Sequence, residues 1–214
     1  MALPLLSDAG GGDDDVFHAI AATLAARGWC ETPHFLDAPT VEALALDVEA
    51  ARAAGRFRAA GVGRGRRWEL RPEVRTDQVL WLGDRQPGAA QQAYLRDLER
   101  LRLAINEVTR LGLFEFEGHF AVYPPGSYYR KHHDQFRDVG TREVSCVLYL
   151  NPHWDAAWGG ALRLFLGEGG AEPHVDIVPS GGKLVTFLTR EFYHEVCTTH
   201  RDRYSLTGWF RRRD

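Results

Sequence analysis

Cysteine is scarce, long apolar runs are missing and net charge is small, and each shortage removes a class of protein. Cys30, Cys146 and Cys197 form no CxxC pair and no even framework. That excludes a disulfide scaffold and points to a reducing compartment, so a cytoplasmic location is expected. Cys146 and Cys197 lie in apolar runs and read as small core residues. Nowhere do roughly 18 apolar residues run together, which excludes a membrane-spanning helix. Met1-Ala2-Leu3-Pro4-Leu5-Leu6 lacks a basic segment and runs into Gly10-Gly11-Gly12, a poor signal peptide. A formal net charge of −3 gives no electrostatic reason to expect nucleic acid as a partner. Arg211-Arg212-Arg213 is too short to change that and reads as a solvated tail. No internal repeat is present.

What remains is an ordinary globular composition, 44% hydrophobic and 26% charged, over 214 residues. That is one domain, long enough to bury a core. Residues 1–15 are expected to be a flexible tail and 16–214 a single domain, with helical support over about 16–111 and a barrel over about 113–211. Val16, Ile20 and Leu24 recur at helical spacing until Gly28 stops them. A second helix is expected after Pro39-Thr40, with Leu44 and Val48 on one face, ending at Gly55. A third is expected over about 89–111, with Leu95, Leu98, Ile105 and Val108 inward. The Gly/Arg-rich stretch 55–78 has no period and reads as a loop. From 113 onward short strand-like runs appear at about 114–123, 143–151, 161–166, 174–178, 183–188, 194–198 and 203–211. Strands following a helical half predict an α+β protein with a jelly-roll, cupin-like core.

Within that half, His132 and Asp134 are two residues apart in an extended segment, where both side chains reach one side. His194 opens a later strand, sixty residues on, and Arg203 opens the last one. Two imidazoles and one carboxylate on one face of a metal leave the opposite face open, the ligand set of non-haem iron oxygenases. A downstream arginine can then grip a dicarboxylate. Period-two alternation puts Arg203, Ser205, Thr207 and Trp209 on one face, too polar for a packed core and suited to a pocket wall. Ser145, Val147 and Tyr149 share a face in the same way. His133 has the wrong parity to join the ligands, and His153, His174 and His200 read as surface residues in turns.

Residues 75–210 resemble the prolyl hydroxylases of the 2-oxoglutarate/Fe(II) oxygenase superfamily, especially the hypoxia-inducible-factor type and its bacterial relatives. The resemblance is carried by Arg75-Thr76-Asp77-Gln78-Val79-Leu80-Trp81-Leu82, by Tyr123-Pro124 and Tyr129-Arg130, and by Tyr149-Leu150-Asn151 with Trp154-Asp155. Gly159-Gly160-Ala161-Leu162-Arg163, His194-Glu195-Val196 and Arg203-Tyr204-x-x-Thr207-x-Trp209 complete it. It implies a double-stranded β-helix core with supporting N-terminal helices. It further implies Fe(II) held by His132, Asp134 and His194, with 2-oxoglutarate and O2 as co-substrates. Arg203, helped by Tyr149 and Thr207, would hold the distal carboxylate. Tyr123 would reach toward the co-substrate, with Leu162 and Val147 lining the pocket. On the substrate side it implies Trp209 as a wall, Arg75 in the segment before the long helix, and an Asp77–Arg142 pair fastening the substrate loop.

The implied reaction is hydroxylation of a prolyl residue in a cytoplasmic protein or peptide, with release of succinate and CO2. The alternatives are hydroxylation of a small molecule such as free proline, and a silent metal-binding sensor module. Nucleic-acid demethylases of the superfamily carry a second arginine where this chain has Trp209. Collagen-type enzymes use lysine where it has Arg203. The Arg/Gly-rich stretch 55–70 departs from the family's loop, so peptide specificity does not carry over.

Overall fold

The computed structural model describes residues 15–63, 68–83, 86–135 and 140–213. The expected tail, apart from Asp15, falls outside those residues, as do 64–67 of the Gly/Arg-rich stretch. Three helices, α1 (Asp15–Arg27), α2 (Ala38–Ala53) and α3 (Ala89–Thr109), form one layer. Helix α2 starts before Pro39 because the Asp37 carboxylate accepts the Thr40 backbone N–H at 2.9 Å. Gly55 follows its end with φ +65°, a conformation costly for other residues. The buried stripe of α3 runs Tyr94, Leu98, Leu101, Ala104 and Ile105. It is rotated from the expected one, leaving Leu95 at its edge and Val108 40% exposed. In α1, likewise, Phe17 is buried while Val16 is exposed.

A seven-stranded antiparallel sheet runs β1 (Trp29–Thr32), β9 (Leu184–Leu188), β6 (Arg142–Tyr149), β11 (Arg203–Arg212), β4 (Leu113–Tyr123), β3 (Gln78–Trp81) and β2 (Arg58–Ala59). A four-stranded sheet runs β5 (Tyr129–His132), β10 (His194–Val196), β7 (Leu162–Phe165) and β8 (His174–Ile177). The α+β class and the jelly-roll core are therefore as expected. The short strands β1, β2, β3 and β5 were not among the expected runs. The stretch 55–78 is accordingly not one loop: it holds β2, the start of β3 and a bridge between Val62 and Glu69. Nor is 211–213 simply a solvated tail. Strand β11 continues to Arg212, and Arg211 bonds Glu117 at 2.9 Å and Thr141 at 3.1 Å.

Alternation on the large sheet separates two jobs. One face carries Phe120, Val122, Leu148, Leu206 and Phe210, packed against Ile20, Leu44, Leu98 and Ile105 of the helices. The other faces the small sheet, where Val147, Tyr149, Leu162, Leu164, Ile177, Val185 and Phe187 form a second core. Cys146 and Cys30 are buried, whereas Cys197 is only half-buried, contrary to its reading as core. Leu148 is fully buried at the helix-facing side. Leu148→Ala should cost about 2–5 kcal/mol of stability, measured as a lower urea midpoint with an unchanged m-value.

Candidate metal centre and co-substrate pocket

His194, the first residue of β10, stands directly across from His132, the last of β5. Asp134 follows two residues later, where its Oδ2 accepts the Ser145 hydroxyl of β6 at 2.6 Å. Asp134 lies 3.7 Å from Nε2 of His132 through Oδ1 and 3.5 Å from Nε2 of His194 through Oδ2. One donor atom from each of the three lies within 4.8 Å of the others. His132 Nδ1 donates to the Arg130 carbonyl at 2.7 Å, and His194 Nδ1 to the Phe192 carbonyl at 3.4 Å. Those bonds select the tautomer that leaves both Nε2 atoms free for a metal.

The electrostatics fit the same use. Burial opposes ionisation of Asp134, but His194 and His132, then Ser145 and Trp209, outweigh it and hold the carboxyl well below its ordinary range. Burial and the neighbouring His194 push His132 well below its usual value, against Asp134. An ionised carboxylate beside a neutral imidazole is the protonation state that metal ligation needs.

A supporting stack lies behind His132. Its ring lies on Tyr129 at 3.5 Å and 13°, and the Arg75 guanidinium lies over the Tyr129 ring at 4.1 Å. Arg75 is in turn held by the buried Asp77 through bonds of 2.7 and 2.5 Å. This corrects the expected Asp77–Arg142 pair. Asp77 is engaged by the arginine two residues earlier, while Arg142 bonds Glu117 and lies 3.5 Å over Trp209.

At the other end of the site Arg203 is 1% exposed, and no carboxylate pairs with it among the described residues. Its Nε donates to the Gly160 carbonyl at 2.8 Å, and its guanidinium lies 4.9 and 5.1 Å from the rings of Tyr123 and Tyr149. Gly160 has φ +68°, and a Cβ there would come within 3.1 Å of Arg203. The Tyr149 hydroxyl is buried without a hydrogen bond, and burial, opposed by Arg203, pushes its pKa up to about 12. A buried cation and an orphaned hydroxyl side by side are costly unless an anion joins them.

A cavity of about 840 Å³ connects both ends. His132, Asp134, His194, Arg203, Tyr123, Val147, Leu162, Thr207, Trp209, Arg75 and Arg142 line it; Tyr149 and Asp77 lie behind its wall. His133 reaches the wall too, its ring 3.9 Å from Tyr193. His153, His174 and His200 are exposed, although His174 opens β8 rather than lying in a turn.

Sequence reasoning missed His119. It alternates with Tyr123 on the cavity face of β4, and that parity was the available signal. Its ring packs against Trp81 and Trp209 at 4.8 and 5.6 Å, and its buried Nδ1 has no partner. Burial, with Arg75 and Arg142 nearby, pulls its pKa from 6.5 down to about 3. Between those two values the unfolded chain takes up a proton there that the native chain does not, so stability falls as pH falls. From pH 7 to 4.5 the loss at this residue is roughly 2–3 kcal/mol. His119→Leu should lack that loss in urea unfolding at the two pH values. Equal losses in both proteins would contradict the account.

The 2OG-Fe(II) oxygenase superfamily model matches residues 118–211. A prolyl-4-hydroxylase from Pseudomonas putida superposes with a TM-score of 0.82 at 44% identity, over 92% of this chain and all of the other. The chain belongs to this superfamily, among its prolyl hydroxylases. This oxygenase also superposes, with a TM-score of 0.80 at 25% identity, on a Trichoplax adhaerens prolyl hydroxylase in complex with a hypoxia-inducible-factor peptide fragment, over 92% and 90% of the two chains. It is 30% identical to Egl nine homolog 1 of Mus musculus over 86% of its own length, and spans 46% of that protein.

The superfamily is described by its use of Fe(II) and 2-oxoglutarate. The residues present fit them: a two-imidazole, one-carboxylate donor set opens on a cavity that also reaches a buried arginine without a carboxylate partner among the described residues.

Proposed function

We propose that this chain is an Fe(II)- and 2-oxoglutarate-dependent dioxygenase that hydroxylates a prolyl residue of a cytoplasmic protein. One observation carries the reading: the three donors and Arg203, which no carboxylate pairs among the described residues, line one cavity, as a metal and a dicarboxylate together require. Likeness to prolyl hydroxylases narrows it to proline. Residues 16–214 act as one catalytic domain. Among the described residues no helix is long and apolar enough to cross a membrane.

His132, Asp134 and His194 hold the iron, and Ser145 keeps the Asp134 carboxylate oriented. Arg203 grips the distal carboxylate of 2-oxoglutarate, and Tyr149, its ring 5.1 Å from the guanidinium, supports Arg203. Tyr123 and Thr207 bound the co-substrate, while Leu162 and Val147 keep its methylene side dry. The bound iron supplies oxidative decarboxylation of 2-oxoglutarate to succinate and CO2, coupled to insertion of one oxygen atom into a substrate C–H bond. Trp209, fixed by Arg142, walls the side from which the substrate enters. Arg75 and Asp77 act through Tyr129 to keep His132 in place. The protein contributes positioning, exclusion of water and fixed charge.

The test compares a cell extract treated with wild-type protein, Fe(II), 2-oxoglutarate and air with one treated with His132→Ala, by peptide mass spectrometry. The reading expects a one-oxygen gain on a defined proline, with the wild type alone. Gain on another residue type overturns the prolyl assignment. Turnover of free proline without any modified protein favours the small-molecule alternative.

A further inference from the structure

The cavity has a charged rim that the oxygenase chemistry leaves unused. Phe57 is 9% exposed and packs into the helix-facing core. In β2 neighbouring side chains alternate, so Arg58 points away from Phe57. Arg56 and Arg58 both line the cavity, and Arg56 also lines a smaller one beside it. Arg58 stands directly across from Val79 in the β2–β3 pair, and Val79 is itself part of the cavity wall.

Neither arginine has a carboxylate partner among the described residues. Arg58 makes one weak bond, 3.5 Å to the Gly55 carbonyl. Of the other cavity arginines, Arg75 is paired with Asp77, Arg142 and Arg211 are paired with Glu117, and Arg203 lies at the far end of the pocket, where the dicarboxylate is placed. Two arginines with no carboxylate partner among the described residues thus line this part of the cavity, in a chain whose formal net charge is −3. Beside them lie exposed aromatic surfaces, Trp68 at 53% and Trp81 at 44%. Both tryptophans line the same cavity.

Like charges lining a cleft focus its field and select the sign of what enters. Two cations are too few to hold a polyanion such as nucleic acid, whose binding draws on many phosphate contacts. They suit one or two carboxylates in a short segment. We propose that Arg56 and Arg58 select protein substrates that carry Asp or Glu close to the target proline, with Trp68 and Trp81 covering the apolar part of that segment. The proposal rests on the prolyl hydroxylase reading and names the substrate class within it.

The test uses fluorescein-labelled decapeptides of glycine and alanine with one central proline, flanked by Glu, Gln or Lys. Binding is read by fluorescence anisotropy on protein loaded with Mn(II) and 2-oxoglutarate, at about 0.05 M and 0.5 M salt. The Glu-flanked peptide is expected to bind about tenfold tighter than the Lys-flanked one at low salt, with the preference shrinking at high salt. Arg56→Gln with Arg58→Gln should reduce the preference to within about twofold, and Arg56→Glu with Arg58→Glu should invert it. Arg58 is exposed and Arg56 half-buried, and neither has an ion pair to lose among the described residues, so these variants should fold. Equal binding of the three peptides overturns the proposal, as does a preference that survives the double Gln variant. The same peptides incubated with Fe(II) and air separate the two claims. Charge-selective binding without oxidation of any proline leaves the rim standing and removes the prolyl reading. Proline oxidation without charge selectivity does the reverse.

Discussion

Asp134→Ala is expected to abolish 2-oxoglutarate-dependent turnover. Asp134 is the one anionic donor of the three, lies within 4 Å of both imidazole Nε2 atoms and is held by Ser145. With alanine there, two neutral imidazoles remain in a half-dry pocket, and nothing offsets the charge of a divalent ion. The loss should exceed the roughly 10–100-fold that removing an outer-sphere partner of a metal ligand costs. Ser145→Ala, which removes such a partner, should fall within that smaller range in metal affinity. Anaerobic equilibrium dialysis against Fe(II) and succinate assays on the same preparations measure the two effects. Asp134→Ala retaining iron and turnover would remove this carboxylate from the metal site.

The second large effect concerns Arg203. A charge-assisted bidentate contact contributes about 1.5–3 kcal/mol net, so Arg203→Ala should weaken 2-oxoglutarate binding by roughly one to two orders of magnitude. Stability should respond in the opposite sense from most core substitutions. Arg203 is buried without a carboxylate partner among the described residues, so it burdens the ligand-free fold, and its removal should leave the melting temperature unchanged or raised. In the wild type, added 2-oxoglutarate should raise the melting temperature by mass action, and the variant should have lost most of that shift at equal concentration. Thermal melts with and without 2-oxoglutarate check both statements. A variant that melts far lower without ligand would show Arg203 to be a structural residue.

The parts of the site legible in the sequence are those set by short spacing and strand parity. His132 and Asp134 are two apart on one extended segment, and Arg203, Thr207 and Trp209 alternate on one strand. No folded context is needed to see that each set faces one way. Pairings between distant residues were less legible. Asp77 was assigned to Arg142, but Arg75 lies closer and meets both carboxylate oxygens, which leaves Arg142 to Glu117 and the face of Trp209. His119 looked like one histidine among nine. Its meaning comes from burial between two tryptophans contributed by other strands.

The fold divides in the same way. Long strands such as β4 and β11 announce themselves by alternation, and the three helices by their period. Strand β2 has two residues and exists because β3 pairs with it. Strand β5 ends in a histidine of the three-donor cluster rather than an apolar residue, so its pattern is polar where a strand template expects a core residue.

The most direct measurement is an anaerobic titration of Fe(II)-loaded protein with 2-oxoglutarate, followed by the visible absorption that a 2-oxo acid gains on binding Fe(II). The wild type should show one saturating site that needs both components. Asp134→Ala should show none, and Arg203→Ala should saturate only at roughly 10–100-fold higher 2-oxoglutarate. Absorption that develops equally in all three proteins would contradict the placing of metal and dicarboxylate in this one cavity.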